Sequence, residues 1–200
     1  LDVELPRQIE DDGAHVERSP AVQLQLLRDL VDIRAALSAG QQSIPPALAD
    51  GIERAASMLR FFRHGDGGLC LFNDSAENDV SDIDLTLAQA NVRKRPPSGV
   101  SKNGFQRLAA GKLLAFVDTG ARPRTGWDSH AHAGTLSLEV SFGKERLVVN
   151  CGAAVSSGAE WQNAARATAA HSTLAIEDTN SSDDGGPQPH VAVECQGADG

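Results

Sequence analysis

Tyrosine is absent from these 200 residues, and aromatic side chains make up only 4% of them. No phenol of this chain can therefore act as a general acid or base. Cysteine is scarce: Cys70, Cys151 and Cys195 are too few and too scattered for a disulfide scaffold or a zinc ribbon, although one pair could still bridge. Positive charge is in deficit, with 18 Lys and Arg against 27 Asp and Glu, a net charge of -9 and a pI near 5.0. That balance argues against a protein that grips phosphate backbones or an anionic membrane, since either needs a basic face; no nucleic-acid partner is expected. No apolar run approaches the length of a membrane span, and the opening "LDVELPRQIEDDG" has neither the charged start nor the greasy middle of a signal peptide. The chain has no initiator Met and stops in "ECQGADG", so it is expected to be a piece of a longer protein. The missing targeting segment then leaves the compartment open.

What is present is enough for a core. Hydrophobic residues make up 40% of the chain, and their spacing changes along it. Between Ser19 and Leu37, apolar residues recur at Val22, Leu26, Leu30, Ile33 and Leu37, the spacing of one helix face, and Ser19 followed by Pro20 supplies an N-cap and a first-turn proline. A second helix is predicted from Ala47 to Phe62, joined to the first by a short Gly/Pro turn as an antiparallel hairpin, and "VSDIDLTLAQA" can form a third, shorter one. "NVRKRPPSGVSKNG" reads as a connecting loop. Beyond it the period falls to two in "FQRLAAGKLLAFVDTG", "GTLSLEVSFGKERLVVNCG", "HSTLAIEDT" and "HVAVECQ", as expected of antiparallel strands separated by turns. Helices first and strands second is an α+β order, not alternating βαβ units. Arg93, Lys94, Arg95, Lys102, Arg107, Lys112, Arg122 and Arg124 crowd the middle third, which reads either as a local basic groove for an acidic polymer or as a solvated linker.

The chemistry-bearing stretch is "WDSHAHAGTL". If the chain is extended from His130 to Asn150, His130 and His132 share a face and could hold a metal, or one could touch a ligand while the other holds a metal; the spacing alone fits two surface histidines at a strand mouth as well. His171, in "RATAAHSTLAI", stands ahead of another predicted strand. "RHGDGG", with His64 and Asp66, is foremost a tight turn.

"WDSHAHAGTLSLEVSFGKERLVVNCGA" followed by "RATAAHSTLAIEDTNSS" resembles the C-terminal region of the heparinase II/III-like polysaccharide lyases. There a His-x-His strand, an Asp-x-Gly-like turn and an Arg-x-Thr-x-x-His-(Asn/Ser)-Thr segment follow in this order. "DDGAHVERSPAVQLQLLRDLVDI" is similar to that family's Asp-Gly-x-x-x-Glu-Arg-Ser-Pro helix start, and "FFRHGDGGLCLFNDS" to the segment after it. The resemblance implies a multidomain α+β architecture: the last helices of an incomplete (α/α) toroid over residues 1–95, then the start of an antiparallel β-sandwich over residues 96–200. It implies a lyase that cleaves a uronic-acid-containing acidic polysaccharide by β-elimination, in the periplasm or cell envelope. The alternative is a catalytically degenerate carbohydrate-binding or cell-envelope structural protein of the same fold.

By the same resemblance His130 matches the catalytic histidine. His132 and His171 match histidines that bind a structural zinc together with an aspartate whose place is taken by Asn150. From residue type and place, Arg166, Arg18 and Glu17 are expected to meet substrate; Arg166 fits a salt bridge at the sandwich edge equally well, and Arg18 and Glu17 fit an active-site ion pair or a cap of the helix start. Three departures stand out. A neutral amide at Asn150 is a poor zinc ligand, though Cys151 is adjacent. Gly134 occupies a position that is often Asp. The tyrosine expected just after Ser-Pro is replaced by Ala21, Val22 and Gln23.

Overall fold

The computed structural model describes residues 1–96, 99–100, 103–154 and 157–182. A short helical turn, α1 (Leu5–Gln8), precedes three helices: α2 (Pro20–Ala39), α3 (Pro46–Phe61) and α4 (Val80–Ala90). The start of α2 is set as the sequence reads: Ser19 lies in the extended region, Pro20 occupies the first turn, and the Ser19 hydroxyl accepts from the Val22 N–H. From α2 the side chains Leu24, Leu27 and Leu30 are buried, and from α3 Leu48, Ile52, Ala55 and Leu59. Asp79 caps α4 by accepting from the Ser81 N–H at 2.8 Å.

The strands β1 (Gly99–Val100), β2 (Phe105–Ala110), β3 (Leu113–Asp118), β4 (Leu138–Phe142) and β5 (Glu145–Val148) form one antiparallel sheet in chain order. β2 and β3 meet across Gly111, β4 and β5 across Gly143, and both glycines hold φ near +60° as such tight turns require. The long excursion is from β3 to β4. Asp118 N donates to Ser137 O at 2.9 Å and Leu136 N to Asp118 O at 2.7 Å, so residues 119–136 are cinched into a loop whose two ends touch. That loop carries His130 and His132.

The sheet's inner face packs on the end of α3. Phe62 meets Phe105 edge-on with centroids 5.1 Å apart, Phe61 meets Phe116 at 6.1 Å, and Phe72 leans on Phe105 at 5.1 Å. One hydrophobic cluster therefore runs from α1 through the helices to Phe105, Leu114 and Phe116.

Two buried polar links pin the layers together. Arg18 sends its guanidinium from the start of α2 into the sheet, donating to Asn103 O and Ala121 O, each at 2.8 Å, pairing with Asp118 and lying 4.7 Å over the Phe105 ring. Gly120 is required there, because a Cβ would come within 2.2 Å of that guanidinium. His64, from the turn after α3, is fully buried between Glu139 (2.8 Å) and the Ser141 hydroxyl (2.9 Å) of β4.

Some expectations differ from the structure. The segment 171–179 is not a strand; it holds one isolated bridge, Ile176 to Thr179, because Ser172 N donates to Asn150 Oδ1, Ser172 O accepts from Leu138 N, and the Thr173 hydroxyl donates to Thr135 O. The helix α5 (Ala159–Arg166) and the 3-10 turn Thr168–Ala170 interrupt the strand-rich half. The predicted strand "HVAVECQ", with Cys195, and Lys102 lie outside the described residues.

Candidate functional site

At the junction of α2, the 119–136 loop and α5 lies a cavity of about 580 Å³, lined by Ala21, Val22 and Gln25 of α2, Asp74, His130, Ala153 and Ala154, and Gln162 and Arg166 of α5. Its size is that of an ordinary small-ligand site. Its titratable walls are His130, Asp74 and Arg166.

The segment before α2 shapes one side. Gln23, fully buried, donates to Gly13 O (2.9 Å) and Ala55 O (3.1 Å) and accepts from His15 N (2.7 Å), which locks residues 13–15 to the helices. His15 Nδ1 in turn accepts from Glu17 N at 3.2 Å, and its ring packs edge-on against Trp127. Burial holds His15 below the ordinary histidine value, against the pull of Glu17 and with a further push from His130. The Glu17 carboxylate is thereby brought to His130 and hydrogen-bonds its Nδ1, with Ser129 Oγ donating to the same carboxylate at 3.2 Å. A carboxylate accepting at Nδ1 fixes the neutral imidazole as the Nδ1–H tautomer and leaves Nε2 as the nitrogen available to a ligand.

Asp74 is the second hub. It holds a positive φ of 59°, uncommon for a residue other than glycine. Its two oxygens stand 3.6 Å from His132 Nε2 and 3.6 Å from Arg166 Nη2. The imidazole of His132, 3.6 Å away, is the main cause that holds its carboxyl below the usual range, and the charges of Arg166 and His130 act in the same direction. Arg166 also donates to Ser129 O at 2.8 Å, tying α5 to the histidine loop.

The two histidines of "HAH" do not share a face. The chain between them is loop, and the strand begins only at Leu138. His130, 40% exposed, turns to Glu17; His132, 1% exposed, turns inward, with Nδ1 3.1 Å from His171 Nε2, while His171 Nδ1 contacts Ala167 O at 2.8 Å. Thus two of the three predicted imidazoles meet, and His130 stands apart on the cavity side. Arg18 is the clearest difference from expectation: it pairs with Asp118, not Glu17, and lines a separate groove away from His130. His15, Asp74 and Gln162 escaped the sequence reading. The first two lay within quoted family-like segments, His15 in "DDGAHVERSP" and Asp74 in "FFRHGDGGLCLFNDS", without being singled out, and Gln162 has no signal until the loops close.

This arrangement can be set beside known proteins. The family model described as "Heparinase II/III-like, C-terminal" matches residues 92–194, which is half of the chain. The chain belongs to the heparinase II/III-like family. A curated relative, FtsZ-localized protein C of Caulobacter vibrioides (strain NA1000 / CB15N), is 30% identical over 167 residues, which is 84% of this chain and 29% of the relative. Among solved structures, a crystal structure of heparinase III superposes with a TM-score of 0.74 at 16% identity over 88% of this chain and 34% of that one. The heparan sulfate lyase HepC from Pedobacter heparinus gives 0.69 at 18% over 90% and 32%. At such identities these structures establish a shared fold. The chain spans about a third of the length of the proteins it matches.

For this heparinase II/III-like chain the expected zinc can be tested against the donors present. The His132 and His171 nitrogens, 3.1 Å apart, are near the separation of two ligands on one tetrahedral ion. The third donor fails. Asn150 is buried, its Oδ1 accepts from Ser172 N at 3.1 Å, and its Nδ2 donates to Glu139 at 3.1 Å, so both ends of the amide are committed to the fold. Among the described residues the hydrogen bonds of Cys151 Sγ go to the backbone oxygens of Gly152 and Ala165. Among the described residues the one cluster of three metal-type donors is elsewhere, at His64, Cys70 and Glu139. The residues at His132 and His171 therefore do not make a closed zinc centre.

Proposed function

We propose that this chain is the helix-to-sheet portion of a polysaccharide lyase that cleaves a uronic-acid-containing acidic polysaccharide by β-elimination. Its helices would be the last of an (α/α) toroid and its sheet one layer of a β-sandwich, divided near residue 95. The observation that carries the reading is the Glu17–His130 pair on the wall of a cavity that also presents Arg166.

The chemistry asks for three things. The C5–H bond breaks and its proton goes to a base; the electron pair forms the C4=C5 double bond; the C4–O bond breaks and the departing oxygen takes a proton. Meanwhile negative charge gathers on the uronate carboxylate and needs donors. His130, fixed as the Nδ1–H tautomer by Glu17, offers Nε2 as the base, and the carboxylate then supports the imidazolium that forms, the logic of an oriented base with a third group behind it. Arg166 brings a planar guanidinium beside the same cavity, suited to a carboxylate. Where a tyrosine is expected, Ala21 and Val22 line the wall, so the proton for the leaving oxygen must come from His130 itself, from water, or from elsewhere in the full protein.

The test is to supply the full-length protein with heparin-like, alginate-like and bacterial exopolysaccharide chains and follow unsaturated-uronate absorbance. Product formation that His130→Ala abolishes supports the lyase. No product on any acidic glycan favours the second reading: a glycan-binding or cell-envelope structural protein that keeps the fold without turnover. The missing tyrosine favours that second reading, as does the likeness to a relative described by its localisation with FtsZ. Both readings are compatible with the periplasm or cell envelope, and no helix among the described residues is long and apolar enough to cross a membrane.

A further inference from the structure

Helix α5 has no buried residue, yet it carries Trp161, at 68% exposure the most exposed aromatic side chain among the described residues. A large apolar ring held in water is unfavourable unless something covers it. What lies at its foot is informative. Trp161, Ala164 and Ala165 line a second cavity of about 240 Å³ whose remaining walls include Cys151, Ala153 and Ala154 and hold no charged side chain. Ala153 and Ala154 also line the His130 cavity, so the two hollows are neighbours that share a wall. The helix is a ridge between them: Gln162 and Arg166 face the charged side, Trp161 and Ala165 the apolar side. Trp161 and Arg166 are separated by about 7.5 Å along the helix axis, so neighbouring units of one extended chain can reach both.

We propose that Trp161 and the alanine shelf beneath it form a sugar-stacking subsite for the unit adjoining the one bound at His130. The inference rests on the reading of the His130 cavity as a glycan site. A pyranose has a face of C–H bonds and a rim of hydroxyls. The C–H face covers the negative π-face of the indole, while the rim stays in water. Alanine walls end at Cβ and leave a flat floor for a ring. The lack of charge on this side suits the apolar face of a sugar and not its carboxylate, which is met by Arg166 across the ridge.

The experiment is binding and turnover by the full-length protein with alginate and heparin oligosaccharides, short and long, for the unmutated protein, Trp161→Ala and Trp161→Phe. Trp161→Ala is expected to raise Kd or KM for long chains about 3- to 10-fold, with kcat and disaccharide binding unchanged and partial recovery in Trp161→Phe. Tryptophan fluorescence of the unmutated protein should respond to long chains, and that response should shrink in Trp161→Ala. Long chains that bind Trp161→Ala, folded by circular dichroism, as tightly as the unmutated protein overturn the subsite and leave the lyase reading standing. Binding that depends on Trp161 without any turnover keeps the subsite and sinks the lyase. No binding of any acidic glycan overturns both.

Discussion

His130 and Glu17 stand 113 positions apart in the chain, and the pair exists because Gln23 and His15 fasten the segment before α2 beneath the 119–136 loop. If this pair moves the proton, His130→Ala lowers kcat/KM roughly 10²- to 10⁴-fold, while Glu17→Gln, which keeps the shape and loses the charge, lowers kcat by less; steady-state kinetics of the full-length protein separate the two. His15 predicts a pH effect on stability. Burial sets its folded value below the ordinary 6.5, so as pH falls the unfolded chain takes up the proton first. Stability is complete above about pH 6.5 and drains as pH drops towards the folded value, and His171, lowered mainly by burial, acts in the same direction. Thermal midpoints followed from about pH 7.5 to about pH 5 should fall, with a shallower slope in His15→Asn. His64 gives a stability prediction. Glu139 has no solvent exposure and accepts from His64, Leu71 N and the Asn150 amide, so His64→Ala strips one partner from a buried carboxylate and should cost about 3–5 kcal/mol by urea denaturation.

Among the elements, α2, α3 and α4 were legible because apolar residues recur over several turns and each begins at a residue with a local reason to begin a helix: Ser19 before Pro20, Pro46 in a first turn, Asp79 as a cap; of the face expected for α2, however, Leu26 and Leu30 are buried and Ile33 is exposed. Four of the five strands fell within the two segments of alternating residues, and the turns at Gly111 and Gly143 separated them. The helix α5 was not legible, since it is only eight residues long and buries nothing, so its one apolar side, Trp161 with Ala164 and Ala165, does not recur over enough turns to mark a helix. The stretch 171–179 alternates as a strand would, but its hydrogen-bonding groups are drawn into loop contacts with Asn150 and Thr135. Asn150 offers a test at this scale. In Asn150→Asp a carboxylate replaces the amide that donates to Glu139, placing two acidic groups together in a buried site; we expect lower stability in thermal unfolding, and no gain of one zinc per chain by metal analysis.

For the whole molecule, the outward side of the sheet sets the expectation. Leu108, Leu113, Phe142, Leu147 and Val148 are exposed on strands whose inner side packs on the helices. An apolar surface of this kind normally meets a partner layer, as the proposed sandwich would provide. With this face uncovered, the 200-residue chain should bind a hydrophobic dye and self-associate. The α-then-β order, the main helices and hairpins, the family, and the importance of His130, His132 and His171 follow from the order of residues alone, since these rest on local periodicity, caps, turns and motif order. It took the folded chain to show that Arg18 bolts the sheet to α2, that His130 turns to Glu17 while His132 turns to His171, and that Asp74 joins the cavity. Those outcomes depend on which loop ends are cinched together and which polar groups find partners once buried, and spacing along the chain carries no information about either.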